Sequence, residues 1–417
     1  MSLVCVRGDE SIAEDELRAH LAALLRLENV GVLLGAGASV GAGGQTIAQI
    51  WRAFVSEHHE IALRLANEGF ISQDDVDIEH FQGDNPRTPP NLEGLLDSME
   101  IAKQDWERRK PTSHKLKRFR QDLATLLRLT IRAAVLSEER WADPAVNLAG
   151  LGSHTTLLQR LIGARQPGQP SPWVFTTNYD LAIEWSAEAV GVHVHTGFVG
   201  IHNRAFSPQS FDLGLRNIRA RGEARFGSND IYLAKLHGSL TWERQGGLDY
   251  RELSASEMWP RLKAVLDGSG QLDDSIMVFP RAAKYLQTVG YLSGELIRRF
   301  SDFLAQSQSC LLIFGYSFED EHLNRLLQSA LLNPTLQLVV VLPEFKGAEA
   351  TDAQLSSASL RQILSLSSPR VTIVGGGEEV YFDNAIGLLP DPILFDLTER
   401  ELRRRIREDL EESDDAG

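Results

Sequence analysis

Hydrophobic positions along the chain fall into two regimes. Short continuous runs of Val, Ile and Leu, bounded by turn residues, alternate with stretches whose apolar residues recur every three or four positions. The continuous runs predict strands over 29–34, 173–176, 192–195, 231–236, 275–279, 310–314, 336–342 and 371–374. Several are apolar on both alternating faces, which suits a parallel sheet covered by helices on each side. The helical period predicts helices carrying Leu17, Leu21, Leu24 and Leu25, then over 46–55, 92–108, 116–136 and 155–162. Ser11 and Glu14 have the spacing of a capping box for the first of these. From about 62 to 162 the strand-like runs vanish, and Pro86, Pro89 and Pro90 place a loop at 83–91.

This pattern predicts an α/β fold: a Rossmann-like parallel sheet flanked by helices, with an inserted helical module. Residues 1–61 and 165–395 would form one discontinuous Rossmann-type domain, 62–164 the insert, and 396–417 a C-terminal helix and acidic tail. Composition alters the picture little, since 43% hydrophobic and 24% charged residues are ordinary for a globular chain of 417 residues. No apolar run is long enough to cross a bilayer, and acidic residues appear at once near Met1 where a secretory leader would be apolar. A cytoplasmic protein without membrane contact is therefore expected. Two cysteines, Cys5 and Cys310, supply neither a disulfide framework nor a four-thiolate zinc site, so no metal is expected.

A net charge of −15 argues against binding duplex nucleic acid through the whole surface. A local basic stretch, Arg204, Arg216, Arg219, Arg221 and Arg225, reads as a solvated or partner-facing loop, with nucleic-acid contact as the alternative. The run 399–409, with Arg403, Arg404, Arg405 and Arg407, reads as an exposed amphipathic helix ahead of acidic residues 408–415.

Candidate chemistry sits at four strand ends. Gly35-Ala36-Gly37-Ala38-Ser39 follows the first buried strand. Glycines there let a backbone approach a pyrophosphate, and a following helix would offer free N–H groups. No Gly-Lys-Ser/Thr follows, and Val40 stands where a dehydrogenase fingerprint needs its third glycine. A glycine turn without ligand is the plain alternative. Phe175-Thr176-Thr177-Asn178-Tyr179-Asp180 ends a second strand, where α/β sheets place ligands, although Asn and Asp there can simply cap a helix. Lys235-Leu236-His237-Gly238-Ser239 offers a general base with room beside it, or a structural histidine. Phe314-Gly315-Tyr316-Ser317-Phe318-Glu319-Asp320 has Ser317 and Asp320 at capping-box spacing, opening a helix that continues through Leu327.

Taken in this order, GAGAS, TTNYD, KLHGS and GYSF-x-D resemble the sirtuin-like family, over roughly 30–327. More narrowly, VGVLLGAGASVGAGG, FTTNYDLAIEW, KLHGSLTW and TIVGGG are similar to the sirtuin-like subunit of bacterial antiphage systems that pair with a HerA-type hexameric ATPase. The sequence departs from deacetylating sirtuins by lacking their two CxxC pairs, hence the zinc module, and their proline-aspartate-phenylalanine-arginine segment. GAGGQTIAQIW stands in that place.

The resemblance implies an NAD⁺ glycohydrolase that passes the ribosyl group to water. It implies that Asn178 positions water or ribose, that His237 is the general base, and that Asp180 binds the nicotinamide carboxamide. It further implies that Gly35, Ala36, Gly37, Ser39 and Thr177 hold the dinucleotide, with Gly315 and Ser317 on the phosphate or ribose. An enzyme of this kind would deplete NAD⁺ in antiphage defence. It would be held in check by self-assembly into a homo-oligomer and by a HerA-type partner, through which any nucleic acid would act. A non-catalytic NAD⁺ or ADP-ribose sensor, and a protein deacylase or ADP-ribosyltransferase, are the alternatives.

Overall fold

The computed structural model of the chain describes residues 3–81, 88–146, 149–166, 168–215, 218–219, 221, 229–246, 249–270, 290–347 and 358–391. The strand expected at 275–279 and the helix at 399–409 lie outside them, as do Arg216 and Arg225.

Among the described residues thirteen strands form two sheets. In chain order they are β1 (Val4–Arg7), β2 (Glu10–Ser11), β3 (Asn29–Leu34), β4 (Trp173–Thr176), β5 (His193–His195), β6 (Phe198–Val199) and β7 (Arg204–Phe206). Then follow β8 (Asp230–Lys235), β9 (Trp242–Gly246), β10 (Asp249–Glu252), β11 (Ser309–Phe314), β12 (Leu336–Val341) and β13 (Val371–Gly375). The large sheet runs β2-β1-β13-β12-β11-β3-β4-β8-β5 and the small one β6-β7-β10-β9. From β13 to β5 every pairing is parallel. This is the Rossmann-like α/β sheet flanked by helices that the apolar runs predict.

The central strands are apolar at most positions because both faces are covered. Along β11, Leu311 and Ile313 face one core while Cys310, Leu312 and Phe314 face the other. The first core is closed by α10 (Gly290–Ala305) and α11 (Glu321–Ala330), and by Phe198, Trp242 and Tyr250 of the small sheet. The second is closed by α1 (Glu14–Leu24), α7 (Gly152–Gly163) and α8 (Ala182–Ala189).

A third, helical core joins α2 (Ile47–Glu57), α3 (His59–Asn67), α4 (Leu92–Arg109), α5 (His114–Val135) and α6 (Glu138–Ala142). It also draws in Met258, Trp259 and Leu262 of α9 (Ala255–Leu266), far along the chain. Trp141 is fully buried between Trp185 and Trp259, with ring centroids 5.8 and 6.1 Å away. Its indole N–H donates to the Val135 carbonyl at 2.8 Å, so this large ring is buried without an orphaned donor.

Two local expectations change at the N-terminus. Residues 4–7 pair antiparallel with β13, adding a strand that no short-range pattern announces. Ser11 lies in β2, and α1 begins at Glu14, where Glu16 rather than Glu14 turns back to accept the Ala13 N–H at 3.0 Å. The glycine turn also leads first into a 3₁₀ helix, Ala36–Ala42. The α-helix expected from 46 starts at Ile47, with Thr46 as its cap and Gln49 completing a capping box. No helix among the described residues is long and apolar enough to cross a membrane.

Candidate functional site

Strand register brings the four motifs to one edge. Leu34 lies beside both Phe314 and Thr176, and Thr176 lies beside Lys235. The chain therefore leaves β11, β3, β4 and β8 at the same level, and residues 35–39, 177–180, 236–239 and 315–320 emerge together. Open parallel sheets bind ligands at this carboxyl edge. A cavity of about 1180 Å³ lies there, with Gly35, Ala36, Gly37, Thr177, His237 and Gly315 in its wall. Ser317 lines it as well.

The glycines are required by contact between two turns. A Cβ on Gly35 would stand 2.4 Å from the Gly315 carbonyl oxygen, and one on Gly37 would stand 2.8 Å from the Gly315 Cα. Gly315 has a φ of +63°, and its own Cβ would fall 2.3 Å from the Ala38 nitrogen. The Gly35 N–H donates to the Phe314 carbonyl and the Gly37 N–H to the Gly315 carbonyl, both at 3.0 Å. Those two N–H groups are thus committed within the protein. What both glycines offer a ligand is a bare backbone surface in the cavity wall.

Behind that wall stands a buried polar lock. Ser39 Oγ donates to Asp180 Oδ2 at 2.7 Å, and Asn178 Nδ2 donates to Ser39 Oγ and to the Gly35 carbonyl, both at 2.9 Å. Asp180 Oδ1 accepts the Ala182 N–H at 3.0 Å, and its own carbonyl accepts from Lys235 Nζ. Lys235 pairs with Glu184 at 3.0 Å; burial pushes the Glu184 carboxyl up, and the lysine beside it pulls back. Ser39 and Asp180 are 3% and 7% exposed, and neither they nor Asn178 line the cavity. The structure thus gives them a bracing position: they tie the first strand-end turn to the second. Asn178 is partly exposed, and both of its amide hydrogens are used inward. Its Oδ1 accepts from no described residue.

Removing the hydroxyl of Ser39 would leave a buried carboxylate oxygen without its donor. Ser39→Ala is expected to destabilise the fold by about 1–3 kcal/mol, the penalty for an unsatisfied buried polar group. Equilibrium denaturation checks this; an unchanged stability would mean that water replaces the hydroxyl.

His237 is only 6% exposed yet reaches the cavity. Its Nε2 lies 2.8 Å from Asp320 Oδ2. Asp320 Oδ1 accepts the N–H groups of His322 at 2.8 Å and Leu323 at 3.1 Å, so this residue caps α11. Ser317, expected to open that helix, is exposed on the cavity wall instead. The reason is Phe318, whose φ of +58° reverses the chain and buries its ring at 1% exposure. Glu319 and Asp320 then face the cavity. Burial acts to raise the Asp320 carboxyl, but the His237 hydrogen bond and the two helix N–H groups outweigh it and hold it below the usual range. Glu319 has no such compensation, and burial raises its carboxyl.

The far wall was not legible in the sequence. It comprises Thr46–Gln49, the Pro89–Asn91 segment, Glu344 and Lys346 beyond β12, and Tyr381–Asp383. Asn91 joins the two walls by donating to the Glu319 carbonyl at 3.4 Å. Asp320 as the partner of His237 was likewise missed: GYSF-x-D marked it only as a helix-cap residue, and the two residues are 83 positions apart. Among the described residues no group of three or more His, Cys, Asp or Glu side chains could hold a metal ion.

Comparison with known proteins bears on this edge of the sheet. No curated protein matches the chain. A solved structure from work on the structural basis for sirtuin substrate affinity covers 85% of this chain and 98% of its own, at 12% identity and a TM-score of 0.33. A family model described as the SIR2-like domain matches residues 172–363, which contain the TTNYD, KLHGS and GYSF-x-D strand ends. Residues 172–363 are thus similar to the SIR2-like domain.

Proposed function

We propose that the chain is an NAD⁺ glycohydrolase acting at this cavity. The observation that carries the reading is His237, paired to a carboxylate and set in the cavity wall within a SIR2-like stretch. The cavity's size suits an extended dinucleotide, since drug-sized ligands occupy about 300–1,000 Å³. Glu319 and Asp320 lie at the His237 end and favour a cationic nicotinamide ring.

In the reaction the bond between the nicotinamide nitrogen and the ribose anomeric carbon breaks. Its electron pair returns to the pyridine ring, so nicotinamide leaves neutral and needs no general acid. Water forms the new bond to the anomeric carbon, and His237 takes the proton that water loses. The carboxylates nearby favour the oxocarbenium-like charge that develops on the ribosyl carbon. Asn178 braces Gly35 from behind the wall. Asp180 supports the site from behind through Ser39. Gly35, Ala36, Gly37, Thr177, Gly315 and Ser317 form the surface against which the dinucleotide lies.

The setting rests on resemblance to HerA-associated systems: antiphage defence by NAD⁺ depletion, in the cytoplasm, controlled by homo-oligomer formation and a HerA-type ATPase. The purified full chain is expected to release nicotinamide and ADP-ribose from NAD⁺ in equal amounts, followed by chromatography. Tight binding without loss, with and without the ATPase, would favour a sensor. Release that depends on an acetylated peptide or a modified protein acceptor would favour a deacylase or transferase.

A further inference from the structure

We propose that the turn at Leu136 is a strained strut by which the helical module holds one wall of the cavity. Its consequence for NAD⁺ rests on the glycohydrolase reading; its mechanics stand on geometry. Leu136 ends α5 with a φ of +62° and a ψ of −59°. The Ser137 N–H donates to the Val135 carbonyl at 2.7 Å and closes a three-residue turn around it. This is a γ-turn of the rare, strained hand, which a bulky side chain seldom adopts. Such backbone persists only where its surroundings over-determine it. Here they do: the same Val135 carbonyl also accepts the Trp141 indole N–H at 2.8 Å. Trp141 is itself held between Trp185 of α8 and Trp259 of α9.

The turn rests on the link between two pieces of cavity wall. A Cβ on Gly43 would stand 2.7 Å from the Leu136 carbonyl oxygen, and one on Gly44 would stand 3.2 Å from Leu136 Cδ2. Gly43 and Gly44 join Val40–Gly41 to Thr46–Gln49, and both of those pieces line the cavity. The Gly44 N–H donates to the Ser39 carbonyl at 2.9 Å, which ties the link to the Ser39–Asp180 lock. Gly150 closes on the same segment: its own Cβ would lie 2.5 Å from the Gly41 carbonyl oxygen. Two adjacent glycines, one at a φ of +98°, give the link little stiffness of its own. Leu136 supplies it. When the γ-turn relaxes, Leu136 withdraws, the link loosens, and the wall on either side of it moves. Packing around Trp141 thereby sets the shape of the cavity.

The experiment is amide hydrogen exchange on the full chain, wild type against Leu136→Gly. Glycine takes the same φ without strain and places no side chain on Gly44. The Gly44 N–H is expected to exchange about tenfold faster in the variant, while that of Leu312 in the core of β11 keeps its rate. ADP-ribose probes the cavity: its affinity is expected to fall about tenfold, and by reciprocity its binding to wild type slows exchange at the Ser137 N–H. An unchanged Gly44 rate would overturn the proposal. So would equal acceleration at Leu312, which means general destabilisation, or a loosened Gly44 with unchanged ADP-ribose affinity. Leu136→Ala tests the strain, because it keeps the Cβ that causes it. Its unfolding constant is expected to exceed that of Leu136→Gly by at least about twofold. A glycine form that is less stable than the alanine form, or that does not fold, would show the turn to be unstrained and overturn the strut. A wild type that neither cleaves NAD⁺ nor binds ADP-ribose refutes the glycohydrolase, and the Gly44 rates still decide whether Leu136 holds the wall.

Discussion

Replacing His237 with alanine is expected to slow NAD⁺ cleavage by about 10²–10⁴-fold, the usual contribution of one positioned general base. The loss should appear in kcat at saturating NAD⁺, because the cavity wall beside it is built from the glycine turns and Thr177, which the change leaves in place. Alanine also deprives Asp320 Oδ2 of its donor, which adds a structural effect to the chemical one. His237→Gln separates the two effects. Its amide can still donate to Asp320, yet it has no titratable nitrogen. Equal rate losses in both variants, with melting temperature falling only in the alanine form, would assign the loss to the missing base. A wild-type rate in either variant would remove His237 from the chemistry.

The second large effect is expected at Gly315, and it concerns the frame of the site. Gly315→Ala would force a side chain into a φ of +63°, which costs about 1–2 kcal/mol by itself. The new Cβ would also lie 2.3 Å from the Ala38 nitrogen and 2.7 Å from the Gly37 carbonyl carbon, both backbone atoms that cannot rotate aside. Overpacking of this kind adds about 1–3 kcal/mol, for a total loss of about 2–5 kcal/mol. Gly69 is the matched control. Its φ is +82°, but a Cβ there would meet nothing within 4 Å, so Gly69→Ala should show only the backbone cost. Denaturation of the two variants side by side decides the matter. Equal destabilisation would mean that the glycine turns are not in obligatory contact. The expected extra loss at Gly315 would mean that separating them disrupts the cavity wall, and NAD⁺ turnover should fall with it.

These two residues illustrate what could be read early and what could not. Glycines at the ends of β3 and β11 were visible as motifs, and a ligand's backbone approach was the natural reason for them. The structure supplies another reason: the two turns touch each other, and the Gly35 and Gly37 N–H groups donate across that contact. Asp180 shows the same limit. A carboxylate two positions after Asn178 looks like a ligand contact in one dimension, yet its oxygens are taken by Ser39 and Ala182.

By itself the sequence determined the α/β class, the parallel strands and the four chemical strand ends, because continuous apolar runs and 3.6-residue periods are local consequences of burial on two faces or one. It could not determine which polar groups meet. The pairing of His237 with Asp320, the Ser39–Asn178–Asp180 lock, the strand Val4–Arg7 beside β13 and the wall at Tyr381–Asp383 join residues remote in the chain. Hydrogen bonds of this kind have no period and leave no local trace. Only register across the sheet and the reversal at Phe318 bring their partners within reach.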